Sequence, residues 1–229
     1  MTLQDLITTL TNGELVQIRI DIDAGDQPQL IRYISMGLTE LYTRFPLKDR
    51  EVFVQQYDDI TLYKLSSEYA ITNTESTATP KYVIDNASPF TDDIIRVDAA
   101  YNEAGVELPI NDYSDAESIM MSAYNEVQVP RPVGTNSMSF VYRANHPALD
   151  PNVVDPSTVT IELPVSHLTA LIFYVGFRYH SFDMTQDAQA VSMAYYQKYI
   201  AETQMLEKLN VLNDSDTDTN IKLIQGGWV

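Results

Sequence analysis

Cysteine is absent from the 229 residues of this chain, and glycine is scarce at 8 residues. Without cysteine the chain has no disulfides, no zinc thiolate sites and no cysteine nucleophile, which suits a reducing compartment. With so few glycines, few loops can cradle a phosphate group through backbone N–H groups. The motifs G-x-S-x-G and H-E-x-x-H are missing as well. The common hydrolase and nucleotide-binding signatures are therefore not indicated.

Basic residues are also few. Lys and Arg total 14 against 32 Asp and Glu, which gives a formal net charge of -18. Binding to nucleic acid through phosphates requires a basic surface, and so does docking on anionic lipid. The charge balance argues against both, and leaves specific contacts to shape and local charge.

Long hydrophobic runs are missing too. The most apolar stretch, "LTALIFYVGF" at residues 168–177, is followed by Arg178 and His180. A transmembrane helix needs about 18 or more apolar residues, so this stretch is too short to cross a membrane. The N-terminal "MTLQDLITTL" lacks a basic region and a long apolar run, and is not expected to be a signal peptide.

Helical periodicity is found near both ends of the chain. Thr2 and Asp5 have the spacing of a capping box before a short helix, with Gly13 as its left-handed C-terminal cap. A second helix is predicted over residues 28–45, ended by Pro46. Two further helices are predicted after Pro164, with apolar stripes of Val165, Leu168, Ile172, Val175 and Tyr179 in one, and of Ala188, Val191, Tyr195, Tyr199 and Leu206 in the other.

The middle of the chain favours strands. Short β-branched and aromatic runs such as "EVFVQQYDDITLYKL", "DIIRVDAAY" and "STVTIEL" alternate with turn residues, and "NEAG" is typical of a hairpin loop. We therefore predict an α+β fold. Residues 1–50 and 164–212 form a helical bundle, residues 51–163 form a β-rich insertion, and residues 213–229 form an extended C-terminal tail with a flexible acidic linker at 213–220.

The histidines and acidic residues of the chain do not have the spacing of a metal-binding or catalytic site. His167 and His180 are 13 residues apart, so on a helix they point to roughly opposite sides and do not chelate one metal. The acidic "DSDTDTN" lacks the glycine and the closing glutamate of a calcium loop. The adjacent pair Asp92-Asp93 is typical of a turn rather than of glycosidase acids. We predict no catalytic residue, no metal site and no cofactor.

Several segments resemble the head-to-tail adaptor, or connector, proteins of tailed bacteriophages. "LIRYISMGLTELYTRFPLKDREVFV" resembles the family's N-terminal helix and its exit into the β insertion. "YRANHPAL" resembles the strand before the closing helices. "VTIELPVSHLTALIFYVGFRYHSF" followed by "AYYQKYIAE" resembles the aromatic helix pair. The similarity in layout covers nearly the whole chain, and its motifs are aliphatic and aromatic patterns rather than a catalytic signature.

The resemblance implies a virion structural protein of the neck, made in the host cytoplasm and without enzymatic activity. Such adaptors form a ring, typically a dodecamer, that binds the portal protein and the tail or tail-hub proteins. The ring extends the DNA channel, and DNA passes through it without sequence-specific binding. No membrane association is implied.

Two sets of residues are predicted to make these contacts. The apolar end of the tail, after the acidic linker, is expected to dock on the portal or a neighbouring subunit, with the only tryptophan as its anchor; it comprises Ile221, Leu223, Ile224, Trp228 and Val229. Phe173 and Phe177 lie outside the main apolar stripe of their helix, and are expected at a subunit interface.

Two alternatives remain open at this stage. The β-rich part, with many of the 15 tyrosines, suits a glycan- or receptor-binding module of a tail component, in which aromatic rings and acids share one cleft. The chain is also compatible with another neck or tail-completion protein.

Overall fold

The fold is described by a computed structural model for residues 1–13, 26–182 and 185–225, with the backbone alone at residue 26 and from residue 210 to 225. The chain divides into two compact units. One comprises Met1–Leu41 together with Ala148–Val229, and the other comprises Tyr42–Pro147. Helices from both ends of the chain flank a β-rich part in sequence, so the predicted α+β class is confirmed.

The helical unit contains four helices in the described ranges. They are α1 (Leu3–Asn12), α2 (Asp26–Arg44, whose last residues belong to the β unit), α3 (Leu168–His180) and α4 (Gln186–Gln225). Helix α2 ends just before Pro46 as predicted, because proline disfavours helical geometry in the residue that precedes it. Its apolar stripe is buried, with exposures of 0–1 % at Ile31, Ile34, Leu38, Leu41 and Phe45.

Helix α1 begins at the predicted capping box. The Asp5 N–H donates to Thr2 Oγ1 at 3.1 Å, and the Thr2 N–H donates to the Asp5 carboxylate at 3.0 Å. The left-handed cap predicted at Gly13 is wrong, since that residue has a φ of -110°. The alternating sequence "ELVQIRIDID" at residues 14–23 predicts an extended segment, and it lies outside the described residues.

The segment "STVTIEL" was predicted to be a strand of the β-rich insertion, but it pairs with the N-terminus instead. The Leu3 N–H donates to the Val159 carbonyl at 2.8 Å, and the Ile161 N–H donates to the Met1 carbonyl at 2.9 Å. Only one isolated bridge, Thr2 to Thr160, forms there. Residues from Ala148 onward thus belong to the helical unit, whereas the sequence pattern predicted a β-rich part over residues 51–163.

Two glycines allow the helices to approach closely. A Cβ added to Gly37 of α2 would lie 2.6 Å from Leu171 Cδ1 and 2.9 Å from Tyr174 Cδ1 of α3. A Cβ added to Gly176 of α3 would lie 2.9 Å from Tyr195 Cδ1 of α4. These distances are too short for a real Cβ atom in a close-packed interior. The crossings of α2 with α3 and of α3 with α4 therefore depend on glycine.

The β unit consists of two antiparallel sheets. Its described strands are β1 (Asp49–Gln55), β2 (Leu62–Lys64), β3 (Val83–Ile84), β4 (Ile94–Asn102), β5 (Met120–Ala123), β6 (Glu126–Gln128) and β7 (Ser137–Ala144). The orders are β3-β1-β7-β4 and β2-β6-β5. The two predicted strands of "EVFVQQYDDITLYKL" are thus present as β1 and β2, but they belong to different sheets.

The core of the β unit follows from strand alternation. Val52 and Val54 of β1 point inward and pair in register with Phe140 and Met138 of β7, all at most 3 % exposed. The "NEAG" hairpin loop is confirmed, since the Asn102 N–H donates to the Val106 carbonyl at 2.9 Å. The segment "SDAESIMMSAY" has the composition of a helical turn. Its first half forms a turn, in which the Ser118 N–H donates to the Asp115 carbonyl at 3.3 Å, and its second half is strand β5.

The prediction of an extended C-terminal tail is also wrong over residues 213–225, because α4 continues as a helix to Gln225. Acidic and polar composition suggested a flexible linker at 213–220. However, no proline or glycine interrupts the chain from Gln186 until Gly226, so nothing in the covalent structure breaks the helix before that point.

Candidate interaction surface

Helix α3 is the most apolar element of the chain, and its buried face differs from the predicted one. Leu171 and Val175 are fully buried, whereas Val165 is 86 % exposed in the 3-10 turn that precedes the helix. Because α3 is apolar on nearly every side, the sequence periodicity does not single out one face. The close approaches at the two glycines set the orientation instead.

Phe173 and Phe177, the predicted interface residues, both lie against α4 and are partly buried. The Phe173 ring centroid lies 6.4 Å from that of Tyr195, and the Lys198 ammonium lies 5.3 Å from the Phe173 centroid. The Phe177 ring lies 5.1 Å from that of Tyr196. Helix α4 thus covers part of each ring, and the rest of each ring stays accessible.

The seam between α3 and α4 is a row of aromatic rings. Tyr195 stacks on His180 with centroids 5.4 Å apart, and Tyr199 meets Tyr174 edge-on at 5.4 Å. Burial raises the pKa of the Tyr174 phenol. The buried stripe of α4 is Ser192, Tyr195, Tyr199, Thr203 and Leu206, so three of the five predicted positions are confirmed.

An apolar strip remains open beside this seam. We name Phe177, Met193 and Tyr196 the outer strip. Met193 is 55 % exposed and Tyr196 is 40 % exposed, and the two are neighbours on one helix face because they are three residues apart. Phe182, just after α3, is 81 % exposed. Large apolar side chains that share one exposed face are a common feature of protein interfaces.

Three of the predicted docking residues belong to the far end of α4. Ile221, Leu223 and Ile224 fall within its helical backbone, but their side chains lie outside the described part. Trp228 and Val229 lie outside the described residues altogether. Their docking role stays a prediction.

The histidines lie in separate environments. His167 is buried, and that burial lowers the pKa of its imidazole. His180 stacks on Tyr195, and the Nδ1 of His146 lies 2.7 Å from the Pro147 carbonyl in the β unit. Among residues 1–13, 26–182 and 185–225, no group of three or more His, Asp or Glu side chains is placed to hold a metal ion.

The Asp92-Asp93 pair is engaged in holding the β unit together. Asp93 pairs with Arg50 at 2.9 Å and accepts the Tyr142 hydroxyl at 2.9 Å, while Asp92 accepts the Ser67 N–H at 2.7 Å. Asp92 also borders a cleft of about 190 Å³ beside the exposed Tyr124. That arrangement of ring and acid is what the glycan-binding alternative predicts, and the alternative stays a prediction.

Comparison with known proteins identifies no family: no protein-family model matches the chain, and no curated protein matches its sequence. In the part of the chain that the structure describes, every helix falls short of the length and apolar character that membrane crossing requires.

Proposed function

We propose that the chain is a structural subunit of a phage neck, a head-to-tail adaptor that forms a ring between the portal protein and the tail. In this proposal the protein acts through its surfaces, and the ring, a dodecamer as in the similar family, lengthens the channel through which DNA passes. The proposal rests on the resemblance of the sequence and on the architecture of the chain.

The observation that carries the proposal is the length of α4. The helix has 40 residues and α3 has 13, which correspond to about 60 Å and about 20 Å at about 1.5 Å per residue. The described buried stripe of α4 runs from Ser192 to Leu206. A helix about three times as long as its hairpin partner has a distal part that suits contact with another protein.

The distal part of α4 and the residues that follow it are the proposed portal-binding arm, from residue 213 to 229. Its apolar side chains are Ile221, Leu223, Ile224, Trp228 and Val229. The outer strip is the proposed contact between neighbouring subunits of the ring. A ring needs two different surfaces that complement each other, and the outer strip supplies one of them.

The charge of the chain agrees with a channel that DNA crosses without being held. At a net charge of -18, the protein repels phosphates on average. An acidic wall would therefore let the duplex slide during packaging and ejection.

The experiment compares the intact chain with a variant that lacks residues 213–229, each mixed with the purified portal of the same phage and imaged by negative stain. We expect a collar on the portal with the intact chain and bare portals with the truncated chain. Circular dichroism should show that the truncated chain is folded, since the cut lies beyond Leu206, the last buried residue described in α4. Replacement of the exposed Tyr113 by Ser is the matched control and should leave the collar intact.

Two results would contradict the proposal, and they do so separately. A collar that survives the truncation shows that residues 213–229 are not the portal-binding arm. If the intact chain forms no collar on portals or on neck fractions, the chain is not a head-to-tail adaptor.

A further inference from the structure

A second cleft, of about 240 Å³, opens into the β unit and shares no lining residue with the cleft beside Asp92. Its floor includes Leu108, Ile119 and Met138, of which Ile119 and Met138 are part of the buried core. Its rim carries the charged residues Glu103, Glu117 and Arg131. The cleft therefore combines an apolar floor with a charged rim.

Gln56 places a buried amide in this cleft. The residue is 6 % exposed, and its Oε1 accepts the Val133 N–H at 2.9 Å. Within the part of the chain that the structure describes, its Nε2 donates to no other protein group, and it is not one of the fully enclosed side-chain atoms that lack a partner. Nε2 therefore meets solvent in the cleft, and a ligand carbonyl there would take the place of water. The Gln56 side chain thus offers two N–H groups to whatever occupies the cleft.

The wall that carries Arg131 is held in place by three hydrogen bonds. Gln55 Nε2 donates to the Gly134 carbonyl at 3.0 Å and to the Asn136 carbonyl at 2.9 Å, and the Gly134 N–H donates to Asp58 at 2.6 Å. Prolines on both sides of Arg131 restrict its backbone further. A wall fixed in this way loses little conformational entropy when a ligand binds.

The volume decides the class of ligand. Sites for cofactors and other small molecules usually measure about 300–1,000 Å³, which is more than this cleft provides. A space of about 240 Å³ accepts a single aliphatic side chain together with its peptide group. The floor suits the side chain, and Gln56 Nε2 suits the main-chain carbonyl, which is an acceptor that every peptide has.

The charged residues at the rim indicate which type of residue would flank the inserted aliphatic side chain. Glu103 and Glu117 are exposed, and Arg131 forms no ion pair in the described part of the chain. Two carboxylates against one guanidinium leave the rim negative. A second copy of this chain, at a net charge of -18, is therefore a poorer match than a basic segment of a different protein.

We propose that this cleft binds an extended segment of a basic partner protein, which inserts one aliphatic side chain and places an adjacent Lys or Arg at the acidic rim. Gln56 Nε2 donates to the carbonyl of the inserted residue, and Glu103 and Glu117 receive the basic side chain. The inference is independent of the proposed adaptor role.

The first test uses the full chain with isotope labels on its glutamine side chains and methyl groups. The probe is N-acetyl-leucine N-methylamide, and the matched control is the corresponding serine compound. We expect saturable shifts of the Gln56 side-chain amide and the Met138 methyl signals with the leucine probe only. Unchanged Gln56 signals would show that the cleft binds no peptide group, and equal responses to the two probes would show that it does not select an aliphatic side chain. Either result would overturn the proposal.

The second test addresses the rim. Acetyl-Leu-Lys-amide should bind about two- to fivefold more tightly than acetyl-Leu-Glu-amide, as expected for one exposed charge contact. Glu117→Gln should remove most of that preference, and Glu75→Gln, an exposed acid elsewhere in the β unit, should not change it. A preference for the glutamate peptide would overturn the assignment of a basic partner.

Two further measurements complete the design. Gln56→Glu removes both amide donors at constant length and keeps an oxygen for the Val133 N–H, and it should weaken the neutral leucine probe about three- to tenfold. The labelled wild-type chain remains informative if this variant folds poorly. The Gln56 signal should also be followed as the concentration of the chain is raised without any probe. A signal that shifts with concentration would show that a second copy of the chain occupies the cleft, and would overturn the proposal of a different partner protein.

Discussion

Asp85 gives the sharpest test of what holds the β unit together. The residue follows β3, is 5 % exposed, and accepts hydrogen bonds from the Thr72 N–H at 3.1 Å and from the Phe90 N–H at 2.9 Å. The Thr72 hydroxyl donates to the same carboxylate. One side chain thus joins the segment before β3 to the segment that leads into β4.

The cost of losing Asp85 follows from these contacts. In Asp85→Ala, the N–H groups of Thr72 and Phe90 lose their acceptor, and each unsatisfied donor costs about 1–3 kcal/mol where water cannot replace the carboxylate. We expect Asp85→Ala to lower the free energy of unfolding by roughly 2–6 kcal/mol. Asp85→Asn keeps one acceptor oxygen and should cost less.

The same contacts predict a dependence on pH. Burial alone would raise the pKa of Asp85, but its hydrogen bonds with Thr72 and Phe90 outweigh burial and lower the pKa below its ordinary value. A carboxylate with a depressed pKa stabilises the fold above its unfolded-state pKa of about 3.9, and loses that contribution as the pH falls through the folded-state pKa. The stability difference between wild type and Asp85→Asn should be constant from about pH 5 to 8 and shrink below about pH 4.

The assay is urea-induced unfolding of the full chain, followed by far-ultraviolet circular dichroism at several pH values. The matched control is Asp59→Asn, at an exposed carboxylate of the same unit. A loss below about 1 kcal/mol in Asp85→Ala, or a stability difference that does not change with pH, would refute the claim that this carboxylate holds the two segments together.

Two further substitutions test the other contacts. Gly176→Ala should destabilise the helical unit, because an overpacking cost of about 1–3 kcal/mol against the Tyr195 ring exceeds the gain of roughly 0.5–1 kcal/mol from replacing a helical glycine. The decrease in melting temperature caused by Gly176→Ala should be smaller in a Tyr195→Leu background. An equal decrease in both backgrounds would contradict the close contact. Tyr142→Phe removes the donor to Asp93 and should cost about 1.5–3 kcal/mol in urea unfolding. Burial raises the pKa of the Tyr142 phenol, and the charge of Asp93 raises it further. The stability lost in Tyr142→Phe should therefore stay constant from pH 6 to about pH 9. A loss that vanished over this range would show that the hydroxyl does not donate to Asp93.

The parts of the fold that depend on local pattern could be predicted from the sequence. Helix α2 has a strict apolar stripe and a proline just beyond its end, and the capping box of α1 needs only Thr2 and Asp5 at the right spacing. The "NEAG" turn needs only its own residues. In each case the determining contacts lie within a few positions along the chain.

The parts that depend on distant contacts could not be predicted. Strands β1 and β2 are close in sequence, but their partners β7 and β6 are much further along the chain, and strand propensity does not specify partners. The cleft around Gln56 gave no sequence signal, since its lining extends from Gln56 to Met138. Composition misled at residues 213–220, where acidic residues suggested a linker while the absence of helix breakers was the stronger indication.

The two predicted interface residues, Phe173 and Phe177, differ in what already covers their rings. The Lys198 ammonium lies 5.3 Å from the Phe173 centroid and 5.0 Å from that of Tyr195. A neighbour that packed on this side of Phe173 would have to displace that cation and lose the attraction between charge and ring. Phe177 also has a cation near its ring, but the Arg178 guanidinium lies 5.9 Å from the centroid, farther than Lys198 lies from Phe173. Phe177 continues into the exposed Met193 and Tyr196. If subunits meet on α3, the lowest cost is therefore at Phe177 and the outer strip, where apolar area is already in water and the displaced cation is the more distant one.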